Sequence, residues 1–321
     1  MKKISVVIPS YNEENSIRLM YETLISCFHD KLSMYDYEII FIDDFSKDAT
    51  RKKIEEICNE DKKVKAIFNA KNFGYTRNVF FSLKQGTGDA VFMVFGDMQD
   101  PPGKLVDFVA RWEEGYKVIL GQKVKSKESK VLYFLRTTYY KLMESASAVQ
   151  QIQHFNGFGL YDRDFIEVIK EIDDSQPYFK GIISEFSFNQ VIVPYIQNSS
   201  KRGKSNVNFS RAYDAAMIGI TSYTKFLMRM STFIGALVGV VSVIIAAVAF
   251  FIKLTNWNAY PFGTAALTIG VFFLGAVQLF FIGILGEYIL AINTRTMKRP
   301  LVAVERWINF DEHGKIDAGK I

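Results

Sequence analysis

Carboxylate side chains recur in this sequence directly after short apolar runs. Asp43 and Asp44 follow one such run, and Asp97 and Asp100 follow another. Asp97 and Gln99 stand two residues apart, so on an extended chain their side chains point the same way and can share one cation. Carboxylate and amide oxygens are ligands that suit Mg²⁺ or Mn²⁺. The spacing therefore indicates a site for a divalent cation.

The elements that would position these carboxylates alternate between strand and helix. The apolar residues Ile17, Met20 and Leu24 have helical spacing and follow the apolar run of residues 4–8. Repetition of this pattern predicts an α/β, Rossmann-like domain with a mostly parallel sheet, which binds ligands beyond the carboxyl ends of its strands. The predicted strands are residues 4–8, 38–42, 65–68, 90–95 and 118–120, and a further helix covers residues 48–59.

Composition and missing motifs exclude several functional classes. The sequence has neither a GxGxxG nor a GxxxxGKS/T glycine loop, so we expect neither a nicotinamide domain nor a P-loop domain. Its net charge of +5 is too small and too dispersed to indicate a nucleic-acid partner. Cys27 and Cys58 fall on the apolar sides of predicted helices, so we expect both to be reduced.

Two long apolar segments, residues 231–252 and 262–288, predict a C-terminal pair of transmembrane helices, because each is about long enough to cross a bilayer. Positive residues flank the pair, whereas the loop between them carries only Lys253. By the positive-inside rule, the globular domain and both termini are expected in the cytoplasm. Two buried helices of a soluble protein are the alternative. The predicted organisation is a globular domain at residues 1–225, the membrane helices within residues 226–294 and a cytoplasmic tail at residues 295–321.

Short polar and glycine-containing motifs follow one another along the chain. In the first half they are residues 6–13, 42–44, 72–74, 88–90 and 97–102, and in the second half residues 158–163, 219–223, 283–288 and 298–300. The first group resembles the motifs of inverting family 2 glycosyltransferases, which have the GT-A fold. The second group narrows the resemblance to the polyprenyl-phosphate glycosyltransferases, such as dolichol-phosphate mannose synthase and the bactoprenol glucosyltransferases.

This resemblance implies a reaction and its ligands. Such enzymes transfer a hexose, with inversion, from a nucleotide sugar to a polyprenyl phosphate in a membrane. UDP-glucose and undecaprenyl phosphate are the expected pair, with GDP-mannose, UDP-N-acetylglucosamine or an amino-arabinose donor as alternatives. Mg²⁺ or Mn²⁺, held by Asp97 and Gln99, would bind the donor diphosphate. The family also suggests a homo-oligomer.

The family pattern assigns a set of residues to the nucleotide sugar. Turn and cap chemistry is the structural alternative for some of them, because Asn12, Ser46 and a strand-end aspartate are natural helix starters. The assigned residues are Pro9, Tyr11, Glu13, Asp43, Asp44, Asn72, Gly74, Arg77 and Asp97.

A basic segment, residues 201–205, precedes the first apolar segment. Arg202 and Lys204, with Arg211 nearby, are expected to hold the acceptor phosphate, and Arg202 and Lys204 would act with Asp97 in catalysis. A lipid phosphate is largely a dianion at neutral pH, so it can attack without a general base. The alternative is a basic patch that only attracts anionic lipid.

Two positions depart from the family pattern. Phe95 stands where many relatives have an acidic residue, and residues 157–159 read Gly-Phe-Gly where relatives often read Asp-Phe-Arg. We therefore expect no metal ligand at Phe95 and no general base at Gly157. A membrane scaffold that binds a nucleotide sugar without turnover is the second hypothesis. Asp100, directly before Pro101, has the pattern of a helix N-cap.

Overall fold

The computed structural model describes residues 1–124, 155–186, 189–198, 217, 226–255, 264–297 and 299–311. The strands in these residues are β1 (Lys3–Ser10), β2 (Asp36–Asp43), β3 (Val64–Asn69), β4 (Ala90–Met93), β5 (Val118–Lys123), β6 (Gly159–Asp162), β7 (Gln190–Tyr195) and β8 (Val304–Ile308). The helices are α1 (Ile17–Asp30), α2 (Thr50–Glu60), α3 (Tyr75–Gln85), α4 (Leu105–Glu113), α5 (Arg163–Glu171), α6 (Phe179–Glu185), α7 (Phe226–Thr255) and α8 (Thr264–Thr296), with a 3₁₀ helix at Pro102–Lys104.

These strands form one mixed sheet in the order β7-β5-β6-β4-β1-β2-β3-β8. The central pairs β4/β1, β1/β2 and β2/β3 are parallel, as is the pair β5/β7. β6 runs antiparallel to both of its neighbours, and β8 runs antiparallel to β3. The predicted mostly parallel, Rossmann-like sheet is confirmed, with antiparallel strands on both sides of its central part.

The side chains of β1 alternate between two hydrophobic cores, one on each face of the sheet. Val6 and Ile8 pack with α1, α2 and α4, whereas Val7 packs with α3, α5 and α6. Burial of both faces explains why β1 is apolar at consecutive positions.

Cys58 lies in the first core, where burial raises the pKa of its thiol to about 12. Cys27 and Cys58 are both free thiols, as expected.

A buried carboxylate joins three segments at the amino-terminal edge of the sheet. Glu38 on β2 accepts hydrogen bonds from Ser5 Oγ (2.6 Å) and from N and Oγ1 of Thr87 (2.9 and 2.7 Å). It also pairs with Lys65 Nζ (2.8 Å). Burial opposes ionisation of Glu38, but these hydrogen bonds outweigh it and lower its pKa to about 2. The network fixes the turn that leads into β4.

α8 contains the one stretch, among the residues described, that is long and apolar enough to cross a membrane. This stretch is Phe273–Thr296, and its most apolar part is not buried within the protein. The apolar stretch of α7, Met230–Val241, is shorter. The structure thus shows one candidate span where the sequence predicted two.

The chain returns to the sheet after α8. β8 pairs with β3, and just beyond this pairing Ala70 N donates to Ala303 O (2.9 Å). Asn309 Nδ2 donates to Cys58 O and Val64 O (2.8 and 2.7 Å). Part of the segment predicted to be a tail therefore forms an edge strand of the globular domain.

Gly88 lies where β1 approaches the turn before β4, and it provides a test of this packing. A Cβ atom at Gly88 would lie 2.5 Å from Lys3 O and 2.9 Å from Ser5 N. We expect Gly88→Ala to lower the thermal unfolding midpoint of the full chain in detergent, because overpacking of this kind costs about 1–3 kcal/mol. Gly103→Ala is the matched control, since nothing lies within 4 Å of its Cβ position. Equal midpoints for the two variants would contradict this explanation.

Candidate active site

The loops after β1 and β2 are hydrogen-bonded to each other. Asn12 N donates to Ser46 Oγ (2.8 Å), and Asn12 Oδ1 accepts from Lys47 N (2.8 Å). Glu13 N donates to Thr50 Oγ1 (2.7 Å). The interpretation of Asn12 and Ser46 as helix starters is wrong, because their side chains are used between the two loops.

Three of the residues assigned to the nucleotide sugar lie at the carboxyl end of β1. Pro9 O accepts a hydrogen bond from Gly96 N (3.3 Å), which places the loop after β4 next to the end of β1. Glu13 is buried against that loop, since a Cβ at Gly96 would lie 3.2 Å from Glu13 Cγ. Tyr11 is 37% exposed. We use the term rim for the carboxyl ends of β1, β2, β3 and β4 together with the loops that follow them.

Asp43, at the end of β2, is fully buried. Its Oδ2 accepts from Arg51 Nε (2.7 Å) and from Ser46 N (3.0 Å). Its Oδ1 has no hydrogen-bond partner in the part of the chain that the structure describes. A buried acceptor left without a donor costs about 1–3 kcal/mol. This oxygen is therefore suited to accept a hydrogen bond from a ligand.

Asp44 holds the loop after β3 in place. Its Oδ1 accepts from Asn69 Nδ2 and Phe73 N (both 2.9 Å), and its Oδ2 accepts from Gly74 N (2.9 Å). Asn72 Nδ2 donates to the backbone O of Asp44 (3.1 Å). Both carboxylate oxygens of Asp44 are thus occupied within the protein, which favours a structural role for this residue.

Gly74 and Arg77 lie at the start of α3. Gly74 has a φ of 87°, a conformation that favours glycine, and it places its N–H against Asp44. Arg77, in the first turn of α3, is partly exposed and forms no ion pair with the described residues. The assignment of Arg77 to the nucleotide sugar stays a prediction.

The segment from Asp97 to Gln99 is a turn. β4 stops at Met93, and Met98 has a φ of 57°. Asp97 Oδ1 accepts from Gln99 N (3.1 Å), and Gln99 Oε1 accepts from Gln197 Nε2 (2.7 Å). The predicted geometry, with both side chains on one side of an extended strand, is wrong because a left-handed residue separates them.

A divalent cation fits this turn when the ligand itself supplies further oxygens. The residues that the structure describes contain no group of three or more His, Cys, Asp or Glu placed to hold a metal. Mg²⁺ is commonly bound by one or two carboxylates together with water and substrate phosphates. The partly exposed Asp97 suits that requirement, whereas the side-chain oxygen of Gln99 already accepts from Gln197.

Asp100 is buried and is bound by two residues distant in sequence. It accepts from the Tyr195 hydroxyl and from Asn156 Nδ2 (2.7 Å). The predicted N-cap role is wrong, because Pro101 precedes the 3₁₀ helix and no side chain caps that helix. Burial and the Asp100 carboxylate raise the pKa of Tyr195, so its hydroxyl stays protonated and donates. This contact anchors the end of β7 to the rim.

The surroundings of Phe95 and Gly157 suit the residues that depart from the family pattern at these two positions. Phe95 stacks on Tyr75, with ring centroids 5.5 Å apart, and the Tyr75 hydroxyl donates to Asn156 O. Gly157 has a φ of 107°, and a Cβ there would lie 2.8 Å from Met93 Cε. A side chain at Gly157 would therefore strain the backbone and crowd Met93, so this position is unsuited to a general base.

Two rim residues were missed from the sequence. Asn69, at the end of β3, is fully buried, and its Oδ1 has no partner among the described residues. The rule that polar residues collect at strand ends could have found it. Arg51, which pairs with Asp43, carries no such signal, because it lies on a helix whose outer positions are generally polar.

The residues assigned to the acceptor phosphate lie outside the described part of the chain. They are Arg202, Lys204 and Arg211. Their roles stay predictions.

The mostly parallel mixed sheet, with acidic loops gathered at the ends of its central strands, defines a GT-A-like glycosyltransferase. Residues 5–184 match the family model described as glycosyl transferase family 2. The chain belongs to this family and is a glycosyltransferase.

Relatives are similar over most of their length. The chain is 32% identical over 305 residues to a prophage bactoprenol glucosyl transferase homolog of Escherichia coli, covering 95% of this chain and 99% of that one. It is 32% identical over 299 residues to the bactoprenol glucosyl transferase of Shigella phage SfX, covering 93% and 97%. Among solved structures, glucosyl-3-phosphoglycerate synthase of Mycobacterium tuberculosis is 18% identical with a TM-score of 0.48, covering 68% of this chain and 78% of that one.

Asp44→Asn tests whether this carboxylate holds the loop after β3. The amide places a donor where Phe73 N or Gly74 N also donates, and an unsatisfied buried group costs about 1–3 kcal/mol. We expect a lower thermal unfolding midpoint for the full chain in detergent. Asp107→Asn is the control, because Asp107 is exposed and pairs with Lys104 at the surface. An unchanged midpoint for Asp44→Asn would show that the loop does not depend on Asp44.

Proposed function

We propose that this glycosyltransferase transfers a hexose, with inversion, from a nucleotide sugar to a polyprenyl phosphate. UDP-glucose and undecaprenyl phosphate are the leading pair, and the product would be a lipid-linked sugar for cell-envelope glycosylation. The observation that carries the proposal is the similarity, over almost the whole chain, to relatives named bactoprenol glucosyl transferase. GDP-mannose, UDP-N-acetylglucosamine and amino-arabinose donors are the alternatives.

The unpartnered oxygen of Asp43 favours a donor whose base has a ring N–H. Uracil presents N3–H and guanine presents N1–H, whereas the corresponding ring nitrogen of cytosine or adenine is an acceptor. Because Asp43 Oδ1 is a buried acceptor, it would attract the first two bases and repel the others. UDP-glucose stays the leading donor, because the relatives are named glucosyl transferases. The other residues proposed to contact or shape the donor site are Pro9, Tyr11, Glu13, Asp44, Asn72, Gly74, Arg77 and Asp97.

The donor diphosphate would bind at the turn that contains Asp97. Asp97 would hold Mg²⁺ or Mn²⁺ together with phosphate oxygens of the donor, and Gln99 would join only after its side-chain oxygen is released by Gln197. The bound cation would offset the negative charge that develops on the leaving nucleoside diphosphate.

The chain leaves β7 beside this turn. Asn198 N donates to Gln99 O (2.9 Å), and Asn198 Nδ2 donates to Met98 O (3.2 Å). Arg202 follows Asn198 by four residues, a separation that an extended chain spans in about 14 Å. This short connection supports an acceptor site for the lipid phosphate close to Asp97.

In the proposed reaction, an oxygen of the lipid phosphate attacks C1 of the hexose from the side opposite the diphosphate. A new C1–O bond forms, the C1–O bond to the diphosphate breaks, and the nucleoside diphosphate leaves with the electron pair. The dianionic acceptor has no proton to lose, which agrees with the glycine at position 157. Arg202 and Lys204, with Arg211, would hold the acceptor phosphate near the donor despite their repulsion.

We further propose that α7 and α8 both cross the membrane, with the globular domain and both termini in the cytoplasm. Large apolar side chains are exposed on both helices, such as Phe233 (83%) on α7 and Leu279 (71%) on α8. Extensive apolar exposure of this kind is expected of a surface that faces lipid. A polyprenyl acceptor would share that bilayer, and the family suggests assembly into a homo-oligomer.

Transfer to lipid by the full chain in detergent tests the proposed reaction. We expect label from UDP-glucose, and not from GDP-mannose or UDP-N-acetylglucosamine, to enter undecaprenyl phosphate when Mg²⁺ or Mn²⁺ is present. EDTA should stop transfer, and added cation should restore it. Asp97→Asn should lower the rate about 100-fold, as expected for loss of charge stabilisation at the reacting centre. Asp107→Asn should leave the rate unchanged.

The outcomes separate the parts of this proposal. Transfer from a different donor would correct the sugar or the base, and transfer that survives EDTA would contradict the metal assignment. A folded protein that binds a labelled donor but transfers from none would contradict the reaction and favour the nucleotide-sugar-binding scaffold.

A further inference from the structure

Arg51 links three elements through the three nitrogens of its guanidinium. Nε donates to Asp43 Oδ2 (2.7 Å) at the end of β2, and Nη2 donates to Asn69 O (2.7 Å) at the end of β3. Nη1 donates to Glu305 Oε2 (2.9 Å) on β8. A guanidinium presents its donors in a rigid planar fork, so these three acceptors fix its position and its plane.

Two aromatic rings restrict the same guanidinium further. The central carbon of Arg51 lies 5.2 Å from the ring centroid of Phe45 and 5.2 Å from that of Phe68. Contacts of this kind are attractive for a cation near a ring face. Hydrogen bonds thus hold the nitrogens of the Arg51 guanidinium, and two aromatic rings pack close to it.

This fixed guanidinium determines how the Asp43 carboxylate is oriented. The terminal torsion of an aspartate has a broad energy minimum, so the side chain alone does not select one orientation. Arg51 Nε and Ser46 N both donate to Oδ2, which leaves Oδ1 as the buried oxygen without a partner in the described residues. The direction in which Asp43 offers its second oxygen therefore depends on Arg51.

β8 supplies the third acceptor of Arg51, although in the sequence it follows both apolar helices. Seven residues separate the end of α8 at Thr296 from the start of β8 at Val304. β8 then pairs with β3 and brings Glu305 to Arg51. The segment that follows α8 thus reaches the same rim that carries Asp43.

We infer that Arg51 is a positioning residue for nucleotide recognition, and that β8 acts as part of the donor site through Glu305. This inference rests on the proposed function, in which Asp43 Oδ1 accepts a hydrogen bond from the base of the donor. Arg51 does not touch the donor in this arrangement. Glu305 is half exposed, and without it Arg51 still donates to Asp43 and Asn69, so we expect the loss of Glu305 to affect donor binding more than unfolding.

The chain provides a matched control on the same two elements. Arg306 on β8 pairs with Glu55 on α2, one turn after Arg51, but this pair does not reach Asp43. Glu305→Gln and Glu55→Gln each remove one ion pair between α2 and β8 whose glutamate is partly exposed. Only the first substitution alters a hydrogen-bond acceptor of Arg51, because Glu55 accepts from Arg306.

The experiment measures UDP binding to the full chain in detergent, together with KM and kcat for UDP-glucose. We expect Glu305→Gln to raise the Kd for UDP and the KM about threefold to tenfold without changing kcat, and Glu55→Gln to change neither. Arg51→Lys keeps the charge but loses the fork, so it should weaken UDP binding more than Glu305→Gln does. Adding Glu305→Gln to Arg51→Lys should have no further effect, because Glu305 acts through Arg51.

Thermal unfolding midpoints show that the variants are folded before binding is compared. Equal losses of UDP affinity in Glu305→Gln and Glu55→Gln would mean that UDP binding requires only that β8 is held against α2 and β3. This result would overturn the inference. Unchanged affinity in a folded Arg51→Lys variant would overturn it as well. Failure of the unaltered protein to bind UDP while it binds another nucleotide would correct the donor, and the same variants then test the inference with that nucleotide. If the unaltered protein binds no nucleotide, the proposed function fails and the inference fails with it.

Discussion

Two adjacent carboxylates buried at the end of β2 require the surrounding loops to supply hydrogen-bond donors, because a buried charge is unfavourable unless it is paired. Asp44 takes its donors from the loop after β3 and thereby fixes the path of that loop. Asp43 takes its donors from the start of α2 and from the loop before it. The shape of the rim follows from satisfying these two acids, and Asp43 Oδ1, which has no partner among the described residues, is the carboxylate oxygen proposed to meet a ligand.

The described rim is better suited to placing charges than to moving protons. Asp44 and Asp100 are acceptors for other residues of the protein, and a side chain at Gly157 would be strained. Chemistry at such a rim favours a nucleophile that is already ionised. In the proposed transfer to a lipid phosphate, the main difficulty would be to bring two anions together, which requires positive charge and a suitable geometry. The glycines and the aromatic residue that depart from the family pattern are consistent with a reaction of this type.

The central sheet could be predicted because β1 and β2 are apolar at consecutive positions, a pattern that requires burial on both faces. The edge strand β8 could not, because it is short, is half polar and pairs with a strand far away in sequence. Local geometry failed at Met98, whose left-handed backbone is not signalled by its side chain. Asp100 was misassigned because its partner Tyr195 is distant in the chain, so a local cap motif was the only guide.

Because β8 lies beyond α8 in the chain, β3 keeps an open edge until the segment that follows both apolar helices has been synthesised. An open edge strand offers unpaired backbone groups to any other chain nearby. Both long apolar helices leave the ribosome before β8, so the sheet closes only after they have emerged. The nascent protein therefore exposes the edge of β3 until β8 has been made, and Arg51 gains its contact with Glu305 only at that point.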